Sequence, residues 1–159
     1  ATSQEPPPPS HVAAVGFVEG ELFARVYLSG PGDFVWLRSA DDGGTWAQAE
    51  DPGPFAETRL TTARVEEPSA PVEVIEERCT EDGACWRTRV FGSGPEAAVE
   101  RREAEGWVDE LRLPGVPEDF ALDAADGERL AVPVRGSVFL RDAGAWVEID
   151  LVAKALALD

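Results

Sequence analysis

Ser39-Ala40-Asp41-Asp42-Gly43-Gly44-Thr45-Trp46 constrains this chain more than any other stretch, because the spacing Ser-x-Asp-x-Gly-x-Thr-Trp dictates the local backbone. Ser and Asp oxygens cap amides in a tight loop, Gly accepts positive φ, and Trp starts the returning strand by covering the hairpin. The octapeptide therefore predicts two antiparallel strands joined by a self-capped turn. Ser39, Asp41, Gly43, Thr45 and Trp46 are read as structural residues, not as catalytic or metal-ligating ones.

The same outline recurs. Phe34-Val35-Trp36-Leu37-Arg38 precedes Trp46, Ala98-Val99-Glu100-Arg101 precedes Glu105-Gly106-Trp107, and Ser137-Val138-Phe139-Leu140-Arg141 precedes Ala143-Gly144-Ala145-Trp146. The later two read as degenerate forms of the first turn. Upstream of each lie alternating or β-branched runs, the signature of further strands. Val12 to Val18 and Glu21 to Leu28 flank a Glu19-Gly20 turn; Pro71 to Glu77 and Cys85 to Phe91 flank a cysteine-bounded turn; Asp119 to Asp123 and Arg129 to Val134 flank Ala124 to Gly127. Glu50 to Pro71 reads as a connector with one extra strand near Glu57 to Val65, and Leu151 to Asp159 fits either a closing strand or a short helix. Gly92-Ser93-Gly94-Pro95 reads as a loop.

At 159 residues with 43% apolar content, one domain is expected over 11–159, behind a proline-rich spacer at 1–10. The chain holds no Met and starts Ala-Thr-Ser-Gln-Glu before four prolines, as expected after removal of a leader. Cys79 and Cys85 bracket Asp82-Gly83, so a disulfide across that hairpin is expected; Zn would need further ligands that the lone His11 does not supply. The disulfide and the missing Met favour an extracytoplasmic location, secreted, periplasmic or surface-anchored. With 31 acidic against 14 basic residues, the net charge of −17 argues against nucleic-acid backbones and anionic membranes as partners. No apolar run is long enough to span a bilayer.

The Ser39–Trp46 stretch resembles the Asp-box of sialidase-type β-propellers, where the motif lies away from the functional site. Cys79, Cys85-Trp86-Arg87, Val99-Glu100, Trp107, Phe139-Leu140-Arg141-Asp142 and Trp146 resemble uncharacterised actinobacterial secreted or membrane-anchored propeller-like proteins. The resemblance implies an all-β, propeller-like array of about three four-stranded antiparallel blades with Asp-box turns, at about 11–50, 71–112 and 117–150. Three blades are too few for a ring, so either a second copy or more chain completes it, or the array stays open and a partner covers its ends.

Sialidase chemistry would need an arginine triad, a Tyr nucleophile paired with a Glu, and an acid/base Asp. The only Tyr, Tyr27, sits in an alternating strand with no Glu at strand spacing, and the sole His follows the proline spacer. Glu66-Glu67, Glu76-Glu77 and Asp41-Asp42 are the carboxylate pairs able to take Ca²⁺ if a loop carbonyl joined them; no other cofactor is expected. Trp36 and Trp86 lie outside the repeated turn position and serve either as core or as surface contacts. The expected function is a non-enzymatic extracytoplasmic interaction domain that assembles with a protein partner or with itself through sheet edges. The alternative is a glycan-binding or glycoside-acting domain with Trp36 or Trp86 as the stacking platform.

Overall fold

Tight turns set the architecture. Glu19 and Gly20 both take positive φ (50° and 83°), as do Ala143 and Gly144 (52° and 81°), so each pair closes a two-residue hairpin whose twist matches the strands it joins. The computed structural model describes residues 10–28, 33–53, 59–65, 73–90, 97–117 and 119–157. Nearly all of the expected proline spacer, the Gly92–Pro95 loop and Glu66-Glu67 lie outside them.

Three antiparallel sheets result. The first has β1 (His11–Val18), β2 (Glu21–Tyr27), β3 (Phe34–Ser39) and β4 (Ala47–Ala49) in sequential order. The second has five strands, β5 (Arg59–Val65), β6 (Glu73–Cys79), β7 (Cys85–Val90), β8 (Ala97–Glu103) and β9 (Gly106–Leu113). β5 is the extra strand expected in the connector, added to the edge of this sheet. The third has β10 (Ala121–Leu122), β11 (Leu130–Val134), β12 (Ser137–Asp142) and β13 (Ala145–Asp150). The all-β expectation and the three antiparallel sheets are therefore present. Among the described residues, the sheets form neither a closed barrel nor a closed propeller ring.

The third sheet lies between the other two. Its Ala131, Val138, Leu140 and Ile149 join a core with Val15, Leu22, Val26 and Leu37 of the first sheet. From its opposite face, Phe120, Leu122, Leu130, Val132 and Val134 join Trp86, Ala97, Val99 and Leu113 of the second. With both faces covered, β11 is buried at every position, and its sequence Leu-Ala-Val-Pro-Val has no polar alternation. Pro133 is tolerated because the two-residue β10 pairs only with Leu130 and Ala131 and needs no donor at 133.

The chain then turns into α1 (Leu151–Ala157), so the helix alternative holds for this segment and the closing strand does not. Asp150 caps it by accepting the Ala153 amide at 3.0 Å, and the Gly136 carbonyl accepts the Leu151 and Val152 amides. Leu151 and Ala155, four apart on one helical face, close the end of the first core.

Candidate binding surfaces

The Ser39–Trp46 turn is held by its own side chains. The Ser39 hydroxyl donates to Asp41 Oδ1 at 2.9 Å and accepts the Gly43 amide at 2.8 Å. Asp41 accepts the Thr45 amide at 2.8 Å and its hydroxyl at 2.6 Å, while the Trp46 indole donates to the Gly43 carbonyl at 2.9 Å. The Thr45 bonds, then that from Ser39, hold the Asp41 carboxyl down to about 2. Gly43 has φ of 87°, and a Cβ there would lie 2.3 Å from Ile149 Cδ1, so the turn seats directly on the third sheet. With Asp41 committed internally and Asp42 bound to Arg129 at 2.6 Å, this pair offers no free cation site.

Arg129 ties the turns of two sheets together. Its buried guanidinium donates to the Gly20 carbonyl of the β1–β2 turn, to Asp42 of the β3–β4 turn and to Asp123 beside β10, and it stacks over Phe17 at 4.8 Å. Asp142 approaches the same cluster. Burial raises its pKa, and the neighbouring Asp42 raises it further by hydrogen bonding and like charge, against an opposing pull from Arg129.

The capping seen at Ser39 recurs in the cysteine turn. Thr80 donates its hydroxyl to Asp82 Oδ1 and accepts the Ala84 amide at 3.1 Å, matching the roles of Ser39, Asp41 and Gly43. The sequence signal for it is a hydroxyl residue two before an Asp, Thr80-Glu81-Asp82, which occurs here without the Thr-Trp that ends the first turn. At the two tryptophan turns read as degenerate copies, two-residue hairpins stand instead, closed by Glu103–Gly106 and Asp142–Ala145 pairs. Cys79 and Cys85 are joined by a disulfide across a registered strand pair. Glu77 lies close to both sulfurs, but the S–S bond takes the thiolates that a metal would require. Glu76 and Glu77 are successive strand residues and point to opposite faces, so they cannot chelate one ion together. Burial first, then Asp119, raises the Glu76 pKa.

Of the two readings open for Trp36 and Trp86, the structure shows the buried one. Trp86 is 1% exposed in the second core, where its indole donates to the Gly127 carbonyl at 2.8 Å. Trp36 is 9% exposed. Burial makes both poor stacking platforms.

Two surfaces unmarked by the sequence reading stand out instead. The first is the outer face of the first sheet. A bulge between Val12 and Ala14 shifts register, so that Val12 and Val15 both enter the core while His11 moves to the opposite face beside Tyr27. His11, Tyr27 and Phe34 then sit in one row across three strands. The His11 and Tyr27 rings stack at 5.2 Å and 10°, and Phe34, 42% exposed, tilts against Tyr27 at 5.4 Å. In the next row, Arg25 lies 5.5 to 5.8 Å from the Tyr27, Phe34 and Trp36 rings. Its Nε is buried without a hydrogen-bond partner. Every other buried or half-buried arginine among the described residues has a carboxylate: Arg78 with Asp119, Arg87 and Arg89 with Glu100, Arg101 with Glu128, Arg129 with Asp42 and Asp123, Arg141 with Glu110 and Glu128.

The second surface is a rim made by the outer strands β9 and β13. Glu110 is the bulged residue of β9, and the bulge aims its carboxylate at the neighbouring sheet, where it accepts from Arg141 at 2.9 Å and from the Trp146 indole at 3.4 Å. The two edges are thus held side by side. Each pairs on one side only among the described residues, and Val108 and Val147 stand 49% and 53% exposed on them.

No protein-family model, curated protein or solved structure matches this chain. The functional reading therefore rests on the chemistry of these surfaces. No helix of the described residues is long and apolar enough to cross a membrane.

Proposed function

We propose that this protein is a non-enzymatic extracytoplasmic interaction domain, propeller-like in plan, that assembles with a protein partner or a second copy of itself through the β9–β13 rim. The observation that carries the reading is the pair of adjacent outer edges, unpaired among the described residues, eight and six residues long and each bearing an exposed valine. Such edges present a row of free amides and carbonyls that an added strand satisfies, and a domain that leaves them open invites pairing. The Cys79–Cys85 disulfide supports an oxidising location.

The test is native mass by light scattering on a size-exclusion column, across a hundredfold concentration range and in the presence of source extract. The expected species is larger than 17.1 kDa, and Val108→Lys with Val147→Lys returns it to monomer mass while the thermal midpoint stays within a few degrees. A monomer under all conditions, or an assembly indifferent to both lysines, overturns the reading.

A further inference from the structure

We infer that β13 is the edge that takes the partner strand, and that the partner is an extended basic segment of another protein, alternating Lys or Arg with apolar residues, and not a second copy of this chain. The inference rests on the rim reading above and narrows it to one edge and one kind of occupant.

The backbone comes first. The Asp142–Ala145 pair closes a two-residue turn, so Ala145, Val147 and Ile149 bond back to β12, and the amides and carbonyls of Trp146 and Glu148 point away from the sheet. The Leu151 amide, next in that alternation, bonds to the Gly136 carbonyl and keeps the same order. Edge strands are ordinarily guarded by Lys, Pro, a bulge or short length, and β13 has none of these: its six ladder pairs run without a shift, and Ala-Trp-Val-Glu-Ile-Asp holds no Lys, Arg or Pro. Its neighbour β9 is guarded by the bulge at Glu110 and by Arg112, and β4 is only three residues long. Of the two rim edges, β13 is therefore the open one.

Charge then selects what may join it. The only charges on β13 are negative, with Glu148 and Asp150 on one face beside Trp146, and Ala145, Val147 and Ile149 on the other. An added antiparallel strand sets its side chains directly opposite these, so a cation answers the exposed Glu148 and an apolar residue answers Val147, which is 53% exposed. The same residues turn away a second copy. Two β13 edges paired about a two-fold axis, in the registers that keep most of the strand paired, set Glu148 opposite or diagonal to its own counterpart, and behind each stands a net charge of −17. Nor does β5 supply the pattern, because Arg59 and Arg64 stand five positions apart, an odd spacing that no single strand face accommodates. The acidic edge thus repels its own kind and admits a strand of opposite sign.

The experiment titrates the full chain with three blocked heptapeptides and follows its amide NMR shifts. One alternates lysine with valine, the second replaces each lysine by glutamate, and the third is the lysine peptide N-methylated at alternate amides, which keeps the charge and removes the donors that strand pairing needs. The expected result is binding of the lysine peptide with shifts centred on Trp146 and Glu148, weakened at least about tenfold both by the change to glutamate and by N-methylation. Glu148→Lys, an exposed substitution, is expected to reverse the preference between the lysine and glutamate peptides. Because all three peptides are compared on the wild-type chain, a misfolded variant leaves the central comparison intact. Binding that survives N-methylation, preference of the wild-type chain for the glutamate peptide, shifts centred on β9, no binding of any peptide, or a wild-type homodimer that Val147→Lys alone dissolves overturns the inference. The rim reading stands or falls separately, on the mass of the species formed in source extract, and that homodimer would uphold it.

Discussion

Asp41 and Asp142 respond to pH in opposite directions. Asp41 has its folded pKa lowered from 3.8 to about 2, so the stability it contributes is present above about pH 4 and is lost as pH falls toward 2. Asp142 has its folded pKa raised above 3.8, so its ionisation weakens the native state, and that loss sets in as pH rises from about 4 through the raised value. Asp142→Asn is therefore expected to raise the thermal midpoint at neutral pH, with the gain fading below pH 4. Asp41→Asn is expected to lower the midpoint at neutral pH and to match wild type near pH 2. A melting series from pH 2 to 8 on the two variants reads both slopes. Arg129 is the costlier position: Arg129→Met strands Asp123 and the Gly20 carbonyl, and urea unfolding is expected to show a loss of about 3–5 kcal/mol, with Arg129→Lys recovering only part because an ammonium lacks the fork.

At the scale of the elements, the cysteine turn closes a small loop, so reducing it removes little chain entropy. Cys79→Ser with Cys85→Ser is expected to cost about 2 kcal/mol by chemical denaturation while leaving the fold, since Thr80 and Asp82 cap the turn independently. How far these elements could be read in advance depended on what each signal encodes. Hairpins marked by Gly and Asp, such as Glu19-Gly20 and Asp82-Gly83, announced themselves because only certain residues take positive φ cheaply. Strand faces were less legible. Strict alternation from Val15 and Phe17 assigns His11 to the core and Val12 to solvent; the bulge at Ala13 exchanges them, and nothing in the local sequence marks it. The same applies to Glu110, whose approach to Arg141 exists only through a bulge. Trp86 stayed open between core and surface because an isolated aromatic in a strand reads alike whether covered or exposed, and its cover comes from a sheet more than thirty residues later.

For the whole molecule, charge is the governing quantity. A net charge of −17 over 159 residues repels itself, and salt screens exposed charges over a Debye length of about 8 Å at physiological strength while leaving buried pairs such as Arg129–Asp123 largely untouched. Raising NaCl from low to moderate concentration is therefore expected to raise the melting temperature; a fall would mean that surface ion pairs outweigh the general repulsion. The position of the third sheet carries a consequence in time. Residues 121–150 form the layer on which both other sheets rest, and they are the last of the three sheets to be synthesised. Until they emerge, the two earlier sheets have apolar faces with nothing to close on, so a nascent chain lacking this segment has no finished core and remains a substrate for chaperones or for a translocation channel that accepts only unfolded polypeptide. Closure of the two earlier sheets is thereby deferred until residues 121–150 have arrived.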